Sequence, residues 1–370
     1  VLLIADWTYF EDARERPDGL SKADPENIDL PHSWNSLDAT DAEPGYRRDA
    51  SWYLKQLTFA EGASGFRHIL YFEGANMRAE VFVNGERAGG HVGGYLGFEI
   101  EITDLLDFQG VNDILVRVDN SVDRSLIPSQ KADFVMFGGL TRDVYLQVRP
   151  GVHIDAVQID TPAVSLDEAQ VSSMVFISGR DEAEGDYQLE LRVLDPNGDA
   201  VSRSRKTITA GPGDSSHSVE LPPIGNPELW SPDSPNLYTL EITLKKGDDV
   251  THRHTEQFGL RWYEFAQDGA FVLNGQRLLL RGTHRHEEHA GFGAAMPDEL
   301  HVRDMEMIKE MGANFVRLGH YPQDPSVYRA ADRLGLILWD ELPWCRGGLG
   351  DEEWKRNTES MLREMITQNR

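Results

Sequence analysis

Three stretches of this 370-residue chain set ionisable side chains directly after short apolar runs: Arg281-Gly-Thr-His-Arg-His-Glu-Glu-His289, Asn314-Phe-Val-Arg-Leu-Gly-His-Tyr-Pro322 and Leu338-Trp-Asp-Glu-Leu-Pro343. A parallel β/α scaffold presents an active-site rim in this way, with apolar strands buried below and catalytic groups at their carboxyl ends. The imidazoles can donate hydrogen bonds to a polar substrate and the carboxylates can accept them. A zinc site is the other reading of His284, His286 and His289 with Glu287 and Glu288, and its spacing argues against it. A His-Glu-x-x-His helix puts its two ligands at i and i+4, whereas His286 and His289 are i and i+3 and are followed by Ala-Gly-Phe-Gly, which cannot continue a helix. Gly89-Gly-His-Val-Gly-Gly94 is equally weak as a phosphate loop, because a strand comes after it and no P-loop lysine is present. It reads as turns between strands.

The elements that must hold these groups show up as changes of period. From about residue 266 strands alternate with helices. Pro297–Met311 carries Leu300, Met307, Ile308 and Met311 on one helical face and stops at Gly312. Asp324-Pro325 opens a second helix as N-cap and first-turn proline, with Val327, Ala331 and Leu334 on one side and Gly335 at its end. Asp351 to Arg370 offers a third, whose apolar face (Trp354, Met361, Leu362, Met365, Ile366) reads as barrel-packing surface. The intervening strands are expected at Leu278–Leu280, Phe315–Val316 and Leu336–Trp339, the opening of a (β/α)8 barrel.

Upstream, the period is two. Trp52–Phe59, His68–Phe72, Ala79–Val83 and Ile114–Val118 alternate, and Asn84-Gly85 is a hairpin turn because both residues tolerate positive φ. This predicts a jelly-roll sandwich over 1–149. From 150 to 265 about seven strands, including Val171–Ile177, Tyr187–Val193 and Leu237–Leu244, predict an immunoglobulin-like sandwich, with a charged turn at Gly179–Asp186. Its core must stand without a disulfide, since Cys345 is the single cysteine. Residues 266–370 form the third domain. The fold class is thus multidomain β plus α/β.

The formal charge of −26 repels a phosphate backbone, which argues against nucleic acid as a partner. No apolar run approaches the roughly 20 residues of a membrane span, and Val1–Ala5 is too short for a signal core. A leader removed before residue 1 would leave no trace, so a cytoplasmic and an exported location both fit, as do a monomer and a homo-oligomer.

With these motifs in place the chain resembles glycoside hydrolase family 2, which contains β-galactosidases, β-glucuronidases and β-mannosidases. The resemblance runs through Leu30-Pro-His-Ser-Trp-Asn35, Val83-Asn-Gly85, Gly93-Gly-Tyr-Leu-Gly-Phe98 and Phe137-Gly-Gly-Leu-Thr-Arg-Asp-Val144. It continues in Leu229-Trp-Ser-Pro-Asp-Ser-Pro-Asn-Leu-Tyr238, Phe258-Gly-Leu-Arg261 and Asn314–Pro322 with Asp332 and Gly335. Two positions depart from the pattern: His284 stands where the family usually has Asn, and Leu318-Gly319 where small polar residues are usual. Both flank the presumed sugar pocket and so bear on which sugar is taken.

The resemblance implies a retaining exo-β-glycosidase acting on a terminal β-linked sugar, a β-galactoside or β-glucuronide, with no cofactor and no metal. It also implies that the acid/base and nucleophilic glutamates come after later strands, beyond Arg370, so no catalytic residue is assigned here and the chain alone is expected to be inactive. What it carries over is the substrate-binding shell: Asp133, reaching from the jelly roll, with His286, His320 and the strand-end Glu341. Arg317 is expected to anchor strand-end carboxylates. Two rivals remain, a non-catalytic carbohydrate-binding protein with an incomplete barrel, and a metal-dependent hydrolase using the histidine cluster.

Overall fold

Alternation of buried and exposed side chains sets the first two thirds of the molecule. The computed structural model describes residues 1–11, 25–38, 40–43, 45–128, 132–180 and 184–369. Six antiparallel strands, in spatial order Glu26–Ile28, Trp7–Phe10, Ala50–Leu57, Asn112–Asp119, Arg78–Val83 and Glu86–Val92, face a sheet of Phe98–Glu101, Arg67–Phe72 and Val144–Arg149. Trp7, Tyr53, Leu70, Phe72, Val81, Val116 and Val144 fill the space between them. At the hairpin tip Asn84 and Gly85 both take positive φ, 49° and 91°, as the sequence predicts.

The run at Gly89–Gly94 differs from expectation. Gly89, Gly90 and His91 lie inside the strand Glu86–Val92 and form no turn. Close approach explains the glycines: a Cβ on Gly89 would lie 2.7 Å from Ile100 Cδ1, and one on Gly90 would lie 2.6 Å from the Ala79 carbonyl oxygen.

The second sandwich stacks Val152–Val164, Glu168–Gly179 and Gly213–Gly225 on a four-stranded sheet of Ala200–Ala210, Gly185–Leu194, Tyr238–Lys246 and Asp249–Phe258. That is the seven-strand immunoglobulin-like count, held by Val171, Val175, Leu189, Leu191, Leu240 and Ile242. Part of the charged turn expected at Gly179–Asp186, residues 181–183, falls outside the described residues. The motif Leu229–Tyr238 fastens this sandwich to the helices of the last third. Trp230 Nε1 donates to the Asp332 carbonyl at 2.9 Å, Arg261 covers the Trp230 ring at 4.5 Å, and Lys309 Nζ donates to the Pro232 carbonyl at 2.7 Å.

The last third is a parallel sheet of β1 (Gly282–Arg285), β2 (Phe315–Leu318) and β3 (Ile337–Trp339), with α1 (Asp298–Glu310) and α2 (Pro325–Leu334) between the strands and α3 (Glu352–Asn369) after them. Val316, Leu318, Met305, Val327, Ala330 and Ala331 form its core. α2 matches the sequence closely: the Asp324 carboxylate accepts from Ser326 N at 2.8 Å, Pro325 opens the helix, and Gly335 ends it at φ 69°.

Three expectations need correction. The first strand is Gly282–Arg285, four residues beyond Leu278–Leu280, because Asn314 pins the earlier segment. Its side chain accepts from Arg281 N and donates to the Leu279 carbonyl, leaving Leu279 exposed. α1 buries His301 and Met305 and exposes Met307 and Met311. Here Met305 has Val316 to pack on, and His301 has Arg285 to bond, so charge as well as apolarity chooses the face. The apolar face of α3 packs on the first sandwich, with Met361 among Leu96 and Ile127, while Leu362 and Ile366 stay largely exposed. Gly93, at φ 125°, leaves the room Met361 needs. No described helix is long and apolar enough to cross a membrane.

Candidate active-site rim

Carboxyl ends of parallel strands point one way, so the residues just past β1, β2 and β3 share one rim. Past β3, Glu341 is the focus. Its carboxylate accepts from Arg317 Nε at 3.2 Å and Nη2 at 2.7 Å, from His320 Nδ1 at 2.9 Å and from Trp339 Nε1 at 3.0 Å. Burial works to raise its pKa, but the bonds from Arg317, His320 and Trp339 outweigh it and hold the carboxyl below the usual range. The neighbouring Asp340 accepts from Tyr328 Oη and Asn369 Nδ2, both at 2.8 Å, and burial raises it.

Past β1 and β2 stand the imidazoles. The His286 and His320 rings are 5.3 Å apart and nearly perpendicular, and His284 lies 5.8 Å from His286 and 6.4 Å from His320. Phe134 of the first sandwich closes over them at 5.9 Å from His286 and 6.1 Å from His320. Burial, then the charges of His320 and His284, lower the pKa of His286, so at neutral pH it stays an uncharged donor and acceptor. The next residue back from Phe134 is Asp133. Its carboxylate accepts from Cys345 Sγ at 2.9 Å and pairs with Arg346 at 2.6 Å; the Cys345 bond first, and the Arg346 and His320 charges after it, keep its pKa low. The structure therefore brings His286, His320 and Glu341 together and adds Phe134 and Asp133 from a different domain. Cys345 and Arg346 are part of this arrangement, and no local pattern marks them in the sequence.

Behind the rim a second polar group is fully enclosed. Arg142 Nη2 donates to Glu287 Oε1 at 3.0 Å and to the Pro322 carbonyl at 2.7 Å, and Nη1 donates to the Tyr95 carbonyl at 3.0 Å. The other Glu287 oxygen accepts from Asp324 N at 2.6 Å. Arg285 bonds Asp304, Gln323 and His301 beside it. Glu287, which belongs to the cluster that suggests zinc, is thus an anchor for the first sandwich, and His289 turns its Nδ1 to the Ala290 carbonyl. Among the described residues no group of three or more His, Cys, Asp or Glu is arranged to hold a metal.

Comparison with known proteins agrees with this architecture domain by domain. The family model described as glycosyl hydrolases family 2, sugar binding domain, matches residues 23–150; glycosyl hydrolases family 2 matches 152–261; and the family 2 TIM barrel domain matches 266–365. A protein of Formosa agariphila named "Putative beta-glucuronidase" is 51% identical over 99% of this chain and 44% of its own length. The beta-galactosidase of Thermoanaerobacter pseudethanolicus is 31% identical over 99% of this chain and 49% of its own. A solved structure described as a calcium binding mutant of Bacteroides uniformis beta-glucuronidase 2, with two aspartates changed to alanine, superposes with a TM-score of 0.91 at 32% identity, over 100% of this chain and 45% of that one. The chain spans about half the length of the relatives it matches.

Proposed function

We propose, because this chain belongs to the glycosyl hydrolases family 2, that its rim holds the terminal sugar of a β-glycoside during retaining hydrolysis. The observation that carries the reading is the meeting of Asp133 and Phe134 from the first sandwich with His286, His320 and Glu341 from the strand ends. Ionised Asp133 is an acceptor for sugar hydroxyls, neutral His286 is a donor or an acceptor, and Phe134 offers an apolar face to the ring's C–H groups.

Retaining hydrolysis needs a carboxylic acid to protonate the leaving oxygen and a carboxylate about 5–5.5 Å away to attack the anomeric carbon. Glu341 suits neither role. A low pKa leaves it without the proton an acid must give, and four donors already occupy its oxygens. We assign it to orienting Arg317 and His320, and the two catalytic carboxyls to no residue of this chain. Of the two sugars the sequence allows, a β-glucuronide is favoured by the name of the relative that shares 51% of its residues.

The test is calorimetric titration of the chain with D-glucuronic acid and with D-galactose. Saturable binding of the first is expected, weakened in both His286→Ala and His320→Ala. Binding that ignores both substitutions would favour a carbohydrate-binding protein whose site lies wholly in the sandwiches.

A further inference from the structure

The loop between β3 and α3, residues 342–351, brings two large side chains to the mouth of the rim. Its start is anchored, since Leu342 packs with Met361 and Met365 of α3 and Pro343 is buried. Its turn is closed by bonds from Trp344 N to the Leu342 carbonyl at 2.7 Å and from Trp344 Nε1 to the Gly348 carbonyl at 3.0 Å. Cys345 then ties it to the first sandwich through Asp133 Oδ1. Between these ties Arg346 takes φ 53°, a left-handed backbone that a non-glycine residue rarely adopts. A loop fixed in this way presents Arg346 together with Trp344, which is 56% exposed.

Arg346 differs from the other cations near the rim. Arg317 uses Nε and Nη2 on Glu341, and Arg142 and Arg285 are enclosed. Arg346 pairs with Asp133 Oδ2 at Nη2, and among the described residues it has no other partner. A guanidinium held at one corner keeps an open edge of parallel donors, which matches two oxygens of a carboxylate or a sulfate ester. Exposure also ranks the rim by depth. The side chains of Glu341 and His320 are 21% and 23% exposed, that of Asp133 is 36% and that of Arg346 is 69%. A terminal sugar held by the deep groups leaves the rest of its substrate at the shallow end, beside Arg346.

We propose that Arg346 and Trp344 form a subsite for the sugar next to the terminal one, and that this second sugar carries an anionic group, so that the substrate is the end of an acidic oligosaccharide. The subsite rests on the sugar-rim reading and adds the next unit to it. Trp344 offers its ring to the apolar face of the second sugar, and Arg346 takes the carboxylate or sulfate at its edge. The formal charge of −26 does not oppose this as it opposes nucleic acid. A duplex presents a charge about every 1.7 Å and needs a basic surface, whereas one anionic sugar needs one guanidinium.

The experiment is calorimetric titration of the full chain with D-glucuronic acid and with three disaccharides, in which β-linked D-glucuronic acid sits on D-galactose, on a D-galactose sulfate ester or on D-galacturonic acid. Wild type should bind at least one of the two disaccharides charged on the second sugar about fivefold tighter than the galactose one, and which of them gains identifies the anion. Arg346→Ala should erase that gain while its affinity for D-glucuronic acid stays within about threefold and its thermal midpoint is unchanged. Trp344→Ala should weaken all three disaccharides and spare D-glucuronic acid. Three results overturn the subsite and leave the sugar rim standing: D-glucuronic acid binding with no gain from either charged second sugar, a gain that survives Arg346→Ala, or an Arg346→Ala loss as large for D-glucuronic acid as for the charged disaccharide. Wild type that binds none of the four overturns the rim reading and the subsite with it.

Discussion

Arg142 and Glu287 meet at 3.0 Å with 3% of each side chain exposed, whereas Arg317 and Glu341 meet at 2.7 Å with 45% and 21% exposed. Both pairs join the ends of elements, and both use the same two residue types. In the buried pair every strong hydrogen-bonding direction is filled by protein, from the Tyr95 and Pro322 carbonyls to Asp324 N. Opening it would strand a charge away from water, so it works as a fixed joint between the first sandwich and the barrel. In the rim pair, water can replace either partner, and a sugar hydroxyl can too. Position, more than chemistry, makes one pair structural and leaves the other open to solvent.

The largest effect should come from the buried side. Arg142→Ala leaves Glu287 unpaired and should cost about 3–5 kcal/mol in urea unfolding; a loss under about 1 kcal/mol would erase the difference between the two pairs. Next is the pH dependence of the acids beside that joint. Burial, then the charges of Asp324 and Asp143, raise Glu73 to about 8, so between the ordinary glutamate value and 8 the folded state holds a proton that the unfolded state has lost. The folded state binding more protons means that stability falls as pH rises through that window, by on the order of 3 kcal/mol. Glu73→Gln should flatten this slope, and urea midpoints across pH 5–8 read it.

On the rim the expected effects move from stability to binding. Glu341→Gln should change unfolding free energy by less than about 1 kcal/mol while weakening sugar binding about tenfold, near 1.4 kcal/mol. A variant that loses stability and keeps its affinity would reverse the roles assigned to the two pairs. The smallest effect is expected from Cys345→Ser. The hydroxyl still donates to Asp133, and Arg346 still pairs with it, so affinity should shift by less than about threefold.

How much of this the sequence discloses depends on how local each cause is. The Asn84-Gly85 turn and the Asp324-Pro325 cap are decided within a few residues, and both are legible. The sandwich strands arise from period-two alternation, and their number in the second sandwich is legible too. The first barrel strand is misplaced because Asn314, 33 residues on, decides which segment pairs. α1 turns a face that includes His301 inward because Arg285 waits there, which an apolar period cannot register. α3 finds its partner in Leu96 and Ile127, more than 200 residues back. The rim residues Asp133, His286, His320 and Glu341 are visible in the sequence through a family pattern, whereas the Cys345–Asp133 bond joins residues 212 apart and has no pattern.

If the first sandwich and the barrel strands build one sugar pocket, Asp133 is where they meet. The affinity of the chain and of Asp133→Ala for D-glucuronic acid decides this, with thermal midpoints taken on the same samples. We expect at least about tenfold weaker binding at an unchanged midpoint, because Asp133 is a surface acceptor with no core to support. Equal affinity in the two proteins would contradict a shared pocket and return the sugar site to one domain alone.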